Sequence, residues 1–281
     1  MKRTRLEDFR RELLETGSYR THADCRAPRR AKKGALTTFR LAWPVGSLFH
    51  MTALHRALGV LDHDRWDRTC FKTVTAAESL GMDVVFEGWE NRAAVKGPVV
   101  YVCNHMSSLD APLLSAALRS YGPFVIVAKA SLLKLPFLDT ELTDLMEMVG
   151  IERKSPRDDL KRMLRIGEEK IRQGTSFWVF PEGSRFKVFD RAHFSSLGAK
   201  VAEHAECPIC PVALDMRCLP IREKGLFRGI LHDFGTADPS ADVRCVCGPI
   251  IPCGRSREMN EVAFSWLAGK LAEWGLPVAG I

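Results

Sequence analysis

Two short apolar runs, Val99-Val100-Tyr101-Val102-Cys103 and Ser176-Phe177-Trp178-Val179-Phe180, limit what this chain can fold into more than any other feature. Neither alternates polar with apolar residues, so neither leaves a face for water. Each is too short and too rich in β-branched or aromatic residues for a helix. Strands of this kind are buried on both sides, the condition of a parallel sheet with helices over both faces. The rest of the pattern agrees. Helical periodicity starts at Ala111 and recurs over residues 157–172, 197–205 and 257–274, with a further helical stretch at 142–148. Other strand patterns stand at 84–87, 124–127, 209–214, near 229–234 and at 243–246. Strands alternating with helices predict an α/β fold, a mostly parallel sheet covered by helices, with the late strand pair adding an antiparallel edge. At 281 residues, 46% of them hydrophobic, the chain can bury a core of this kind beside a smaller amino-terminal helical unit.

Both runs end in polar signatures: Asn104-His105-Met106-Ser107-Ser108-Leu109-Asp110 leaves the first, Pro181-Glu182-Gly183-Ser184-Arg185 the second. Open α/β sheets place ligands at the carboxyl ends of strands, so the two loops predict one shared crevice. Asp110 falls where it can cap the next helix, with Pro112 in the first turn. It also falls where its carboxylate can take the proton of one imidazole nitrogen of His105. The other nitrogen is then left as a general base toward a hydroxyl. In a chain with eight histidines, that spacing alone carries little weight; the second loop supplies it.

Together the loops resemble the glycerolipid acyltransferase family typified by 1-acylglycerol-3-phosphate O-acyltransferases. The first match is Asn-His-x-Ser-x-x-Asp at Asn104, His105, Ser107 and Asp110; the second is Phe-Pro-Glu-Gly-Ser-Arg from Phe180 to Arg185. Ala128-Lys129 with Leu133 and Pro136, then Gly150-Ile151-Glu152-Arg153, are similar to the family block carrying Ile-x-Arg. Cys207-Pro208-Ile209-Cys210-Pro211-Val212 is similar to its last, proline-bearing block. The resemblance covers residues 84–214 and implies roles. His105 would deprotonate the acceptor hydroxyl as it attacks an acyl thioester, and Asp110 would orient and stabilise the imidazolium, without an acyl-enzyme. Arg153 and Arg185 would hold the acceptor's phosphate, for which a planar guanidinium is suited, with Lys129 as an accessory cation. Glu182 and Gly183 would position the acceptor, the glycine allowing close backbone approach, and Ser184 keeps the hydroxyl of the commoner threonine. The implied reaction moves a fatty acyl group from acyl-CoA or acyl-carrier protein to lysophosphatidic acid, giving phosphatidic acid. Another lysolipid, such as a lyso-ornithine lipid, is the alternative acceptor. No cofactor beyond the thioester co-substrate and no metal is implied.

Charge adds an argument independent of the family. Residues 1–40 hold twelve Lys or Arg against five Asp or Glu, while the other 241 hold twenty-nine of each, so the whole formal +7 lies in the amino-terminal segment. Such a segment is drawn to anionic lipid by about 1 kcal/mol per cation, and equally to nucleic acid phosphates, as a non-enzymatic nucleic-acid-binding protein would use it. The next segment favours lipid. Leu41, Val45, Leu48, Met51, Leu54, Leu58 and Leu61 recur at helical spacing, with Phe39, Trp43 and Phe49 alongside and Arg40, His50, His55 and Arg56 interrupting. A membrane span needs about 20 apolar residues in succession, which Pro44 and His55-Arg56 break. An interfacial helix is therefore expected, although the same stripe also suits a helix packed onto the core. The expected organisation is a basic, partly mobile arm at 1–35, a helical membrane-associating unit at 36–80 and an α/β acyltransferase domain at 81–281. The protein should be peripheral on the cytoplasmic side, with an anionic membrane surface, a lysophospholipid and the acyl donor as partners and no nucleic acid. The charged start, Met1-Lys2-Arg3-Thr4-Arg5, shows no signal peptide. Nine cysteines show no secreted disulfide framework. Cys207-x2-Cys210 and Cys245-x-Cys247 with Cys253 recur at zinc-like spacing, but without a second Cys-x2-Cys buried free thiols are expected.

Overall fold

The structure, a computed structural model, describes residues 1–133, 148–152, 155–222 and 234–280. The amino-terminal part carries α1 (Leu6–Thr16), β1 (Tyr19–Arg20), α2 (Ala35–Ala57) and α3 (His63–Ser79). The body begins with β2 (Val84–Glu87), α4 (Glu90–Ala93), β3 (Val100–Cys103), α5 (Asp110–Leu118), β4 (Phe124–Lys129) and α6 (Ala130–Leu133). It continues with β5 (Met148–Ile151), α7 (Pro156–Arg172), β6 (Ser176–Val179), β7 (Phe189–Asp190) and α8 (Leu197–His204). It ends with β8 (Ile209–Asp215), β9 (Val243–Cys247), α9 (Ser256–Glu273) and β10 (Val278–Ala279). Of the expected helix at 142–148, residues 142–147 lie outside the described residues and Met148 opens β5. Of the expected strand near 229–234, only Phe234 is described, bridging Ile221.

Among the described residues, eight strands form one sheet in the order β1-β2-β9-β8-β3-β6-β4-β5. The block β8, β3, β6, β4 and β5 is parallel, as the unbroken apolar runs require. Alternate side chains of β3 serve opposite cores. Tyr101 and Cys103 pack with α1, α2, α3 and α5, while Val100 and Val102 pack with α7, α8 and α9. Gly198 lets α8 lie directly on the sheet, since a Cβ there would sit 2.7 Å from the Val179 side chain. Helix α7 starts as its sequence indicates: Pro156 is in the first turn, and the hydroxyl of Ser155 accepts the Asp158 amide. β9 runs antiparallel to β8, yet it is not the expected edge. β2 pairs beyond it, and the edge is β1, antiparallel to β2.

Residues 1–35, expected as a basic, partly mobile arm, contain α1 and the edge strand β1. Leu6, Phe9 and Leu13 are buried along one face of α1, and Phe9 meets the rings of Tyr19, Phe71 and Phe86 at 4.9–5.2 Å. Burying that face requires the segment to dock. Glu78 of α3, itself buried, accepts hydrogen bonds from Thr4 (2.8 Å), Tyr19 (2.6 Å) and Thr21 (3.2 Å). Arg26 forks onto Asp83 at 2.7 Å, and Arg30 reaches Asp242 at 2.6 Å. Charge counting saw the cations of this segment but not their partners, which are dozens to hundreds of residues away.

The stripe on α2 also divides. Leu41, Val45 and Leu48 are buried beside α3, whereas Leu36, Phe39, Trp43, Leu54 and Leu58 point outward, Phe39 and Trp43 at 59% and 57% exposure. Among the described residues no helix is long and apolar enough to cross a membrane. All nine cysteines are free thiols, eight of them buried, with the sulfurs of Cys210 and Cys247 3.3 Å apart. Among the described residues no three metal-ligating side chains gather.

Candidate active site

β3 delivers the chain to Asn104, whose buried carboxamide completes a rung with β8. It donates to the Leu214 carbonyl at 3.0 Å and accepts the Leu214 amide at 2.8 Å. The Ser107 hydroxyl donates to the Leu219 carbonyl at 2.8 Å. Between these two anchors the loop turns back on Asp110. One oxygen of that fully buried carboxylate meets Nδ1 of His105 at 2.8 Å and accepts the amides of Met106 at 2.7 Å and Ser107 at 2.9 Å. Three groups converging on one oxygen fix the carboxylate's direction and through it the ring. A carboxylate facing Nδ1 assigns the proton to that nitrogen and leaves Nε2 as the basic one. Asp110 is not the helix cap that its position suggested. Leu109 occupies that place without a side-chain bond, and Asp110 lies in the first turn with its carboxylate turned back to the preceding loop.

The second loop brackets the first. Glu182, buried just past β6, accepts the His105 amide at 2.7 Å, and the Phe186 amide donates to the His105 carbonyl at 3.0 Å. The His105 peptide is thus held from both sides, while its ring stacks on Phe180 at 4.0 Å and 17°. Burial raises the Glu182 pKa to about 8; the bond from the His105 amide opposes that rise and the Asp110 charge adds to it. Gly183 makes the turn possible at φ 65°, a conformation that side chains resist, and its amide returns to the Phe180 carbonyl at 2.9 Å. Arg185 reaches back across the crevice and donates to the Ser108 hydroxyl. Ser184 is exposed on the same loop.

The two loops therefore meet, as their signatures led us to expect: His105 contacts both Asp110 and Glu182, and Arg185 reaches Ser108 on the loop that carries His105. Lys129 ends β4 on the same carboxyl edge. β6 lies between β4 and β3, so Lys129 stands about 10 Å to the side of the histidine's strand, exposed at the rim. Arg153 lies outside the described residues; Ile151, two residues earlier, pairs with Lys129. Two features escaped sequence reasoning. Ser108 sits at an unconstrained position of its motif, and only the folded loop shows it meeting Arg185. A small cleft beside His105 and Glu182 is walled by Phe186, Phe189, Leu271 and Leu276, and the last two come from the far carboxyl-terminal region.

Fold and site define an α/β domain with a histidine–aspartate pair at the carboxyl edge of its sheet, faced by an arginine-bearing loop. Residues 83–215, which contain both loops, match the Acyltransferase family. The chain is 32% identical over 188 residues to a 1-acyl-sn-glycerol-3-phosphate acyltransferase of Pseudomonas aeruginosa, covering 63% of this chain and 65% of that one. It is 38% identical over 125 residues to a probable 1-acyl-sn-glycerol-3-phosphate acyltransferase of Mycoplasma genitalium, covering 42% and 44%. The chain thus spans less than two thirds of the length of these curated relatives. The crystal structure of the 1-acyl-sn-glycerophosphate (LPA) acyltransferase PlsC from Thermotoga maritima shares the fold. Its TM-score is 0.59 at 21% identity, over 85% of this chain and 95% of that one.

Proposed function

We propose that the protein transfers a fatty acyl group from a thioester, acyl-CoA or acyl-carrier protein, to the free hydroxyl of lysophosphatidic acid, forming phosphatidic acid. The observation that carries this reading is the His105–Asp110 contact at 2.8 Å beside a loop bearing Arg185. Nε2 of His105 takes the proton of the acceptor hydroxyl as its oxygen attacks the thioester carbonyl carbon. The imidazolium formed is stabilised by Asp110. As the tetrahedral intermediate collapses, the carbon–sulfur bond breaks and the proton passes to the departing thiol. Arg185, with Arg153 and Lys129, binds the acceptor's phosphate, since guanidinium groups match phosphate oxygens in pairs. Glu182 acts mainly by holding the His105 backbone, with Gly183 and Ser184 beside the acceptor. The names of the curated relatives support the choice of acceptor.

The exposed aromatic and aliphatic face of α2 supports a peripheral attachment to an anionic membrane surface on the cytoplasmic side, where the acceptor lipid resides. The test is an acyl-transfer assay of wild type and His105→Ala with lysophosphatidic acid, a lyso-ornithine lipid and a lysophospholipid of larger head group. Lysophosphatidic acid should be the preferred acceptor. His105→Ala should lose about 10²- to 10⁴-fold in kcat, the usual contribution of a general base, with an unchanged circular-dichroism spectrum. Retained turnover in a folded variant removes His105 as the base.

A further inference from the structure

The cations of the amino-terminal segment are largely engaged within the molecule: Arg10 with Asp67, Arg26 with Asp83, Arg30 with Asp242 and Lys33 with Asp238. Helix α7 is different. Arg157, Lys161 and Arg165 recur every fourth residue, and Arg162 stands beside them. All four are exposed, and among the described residues none of their side chains has an ion-pair or hydrogen-bond partner. The acids of the same helix are occupied elsewhere. Asp158 takes the Ser155 hydroxyl at 2.7 Å, Asp159 takes the Glu152 amide at 3.2 Å, and Glu168 faces Arg172 and His204. The first turns of α7 therefore present Arg157, Lys161, Arg162 and Arg165 to solvent against one exposed carboxylate, Asp158, which forms no ion pair with them.

Position and chemistry narrow what this surface meets. α7 begins five residues after the end of β5, whose last residue pairs with Lys129, so its cationic end lies at the edge of the sheet that carries His105. It packs on β6 and α8, in the layer opposite α2 and α3, so a flat membrane lying against the exposed apolar face of α2 is turned away from it. None of the exposed large apolar side chains lies on α7. A surface that is cationic and wholly polar, set apart from the apolar face, suits an acidic protein better than a lipid layer. We propose that the outer face of α7 docks an acidic acyl-carrier protein, which extends its thioester on a flexible arm to His105. This inference rests on the acyl-transfer reading above and names the donor for that reaction.

The test compares the full-length protein with a variant carrying Arg157→Glu, Lys161→Glu and Arg165→Glu, using palmitoyl-acyl-carrier-protein and palmitoyl-CoA as donors and one acceptor. With the carrier-protein donor, kcat/KM should fall by about tenfold or more, through KM, and the wild-type loss of rate with added salt should flatten. With palmitoyl-CoA, kcat/KM should stay within about twofold of wild type, because exposed charges far from the reacting atoms change encounter with a charged partner rather than chemistry. The corresponding triple glutamine variant should fall between the two. Direct titration with apo-carrier protein should show the same ranking without any turnover. Equal losses with both donors, no loss with either, or weakened binding to phosphatidylglycerol vesicles with carrier-dependent turnover intact would each overturn the proposal. Wild type that uses palmitoyl-CoA but not the carrier protein overturns it while leaving acyl transfer standing. Wild type that uses neither donor overturns the acyl-transfer reading itself.

Discussion

Two carboxyl groups flank His105 in different surroundings. Asp110 lies in the first turn of a helix, and one of its oxygens collects three contacts. Glu182 has one backbone donor in an apolar surround, and burial pushes its pKa from the ordinary 4.5 to about 8. The consequence for stability follows from which state holds the proton. The folded protein keeps a proton on Glu182 that the unfolded chain releases above pH 4.5. This group's contribution is therefore full below about pH 4.5 and is lost as pH rises toward about 8. Glu182→Gln preserves an acceptor for the His105 amide and removes the titration. Its melting temperature should gain on wild type between pH 5 and pH 8, by about 2–4 °C for each kcal/mol involved. A gap that is constant with pH, measured by thermal unfolding, would contradict the buried-carboxyl account. Asp110→Asn tests the other group. An amide cannot hold Nδ1–H as a carboxylate does or stabilise the imidazolium, so kcat should fall by about 10²-fold or more while KM changes little. Steady-state kinetics with circular dichroism decides it, and near-normal kcat would show that the ring needs no anionic partner.

At the scale of elements, α2 shows where sequence reasoning stops. Leu41, Val45 and Leu48 lie inside, and Phe39 and Trp43 lie outside, yet both sets have helical spacing and similar hydropathy. Periodicity reports that two apolar faces exist; only docking against α3 decides which is buried. The outward face should govern membrane binding. Phe39→Ser with Trp43→Ser should reduce partitioning to anionic vesicles by about tenfold or more, given roughly 1.5–3 kcal/mol for each large apolar side chain withdrawn from water. Vesicle co-sedimentation reads this directly, and unchanged binding would dismiss α2 as the contact. The central strands were legible because an unbroken apolar run permits only burial on both faces. β1, β7 and β10 were not, being two-residue strands that exist through their neighbours' register rather than their own composition. The same division holds in the site. The His105–Asp110 pair was readable because its members are close in sequence. The Glu182 side chain's grip on a backbone amide 77 residues away and the Ser108–Arg185 contact arise only once β3 and β6 lie side by side.

For the whole molecule, the decisive question is whether the amino-terminal segment is an appendage or part of the folded body. Phe9 and Leu13 are completely buried, Tyr19 nearly so, and β1 covers the edge of β2. Removing residues 1–35 would strip these side chains from the core. It would leave Glu78 inside the protein without the three hydroxyl groups that donate to it. Phe9→Ala alone should cost about 3–5 kcal/mol as a large-to-small core change, and a buried carboxyl deprived of its donors adds the desolvation of an unsatisfied group. Those losses together rival the total stability of a typical domain, about 5–15 kcal/mol. The truncated protein should therefore lose its cooperative thermal transition, and Phe9→Ala should melt well below wild type. A truncated chain with an unchanged melting temperature would show instead that α1 and β1 rest on the surface of an independently stable domain. The paired cations give a second reading of the same question. If Arg26 and Arg30 serve the fold through Asp83 and Asp242, replacing them together with glutamine should lower the melting temperature more than it lowers vesicle binding. Charges serving only a membrane would show the reverse order.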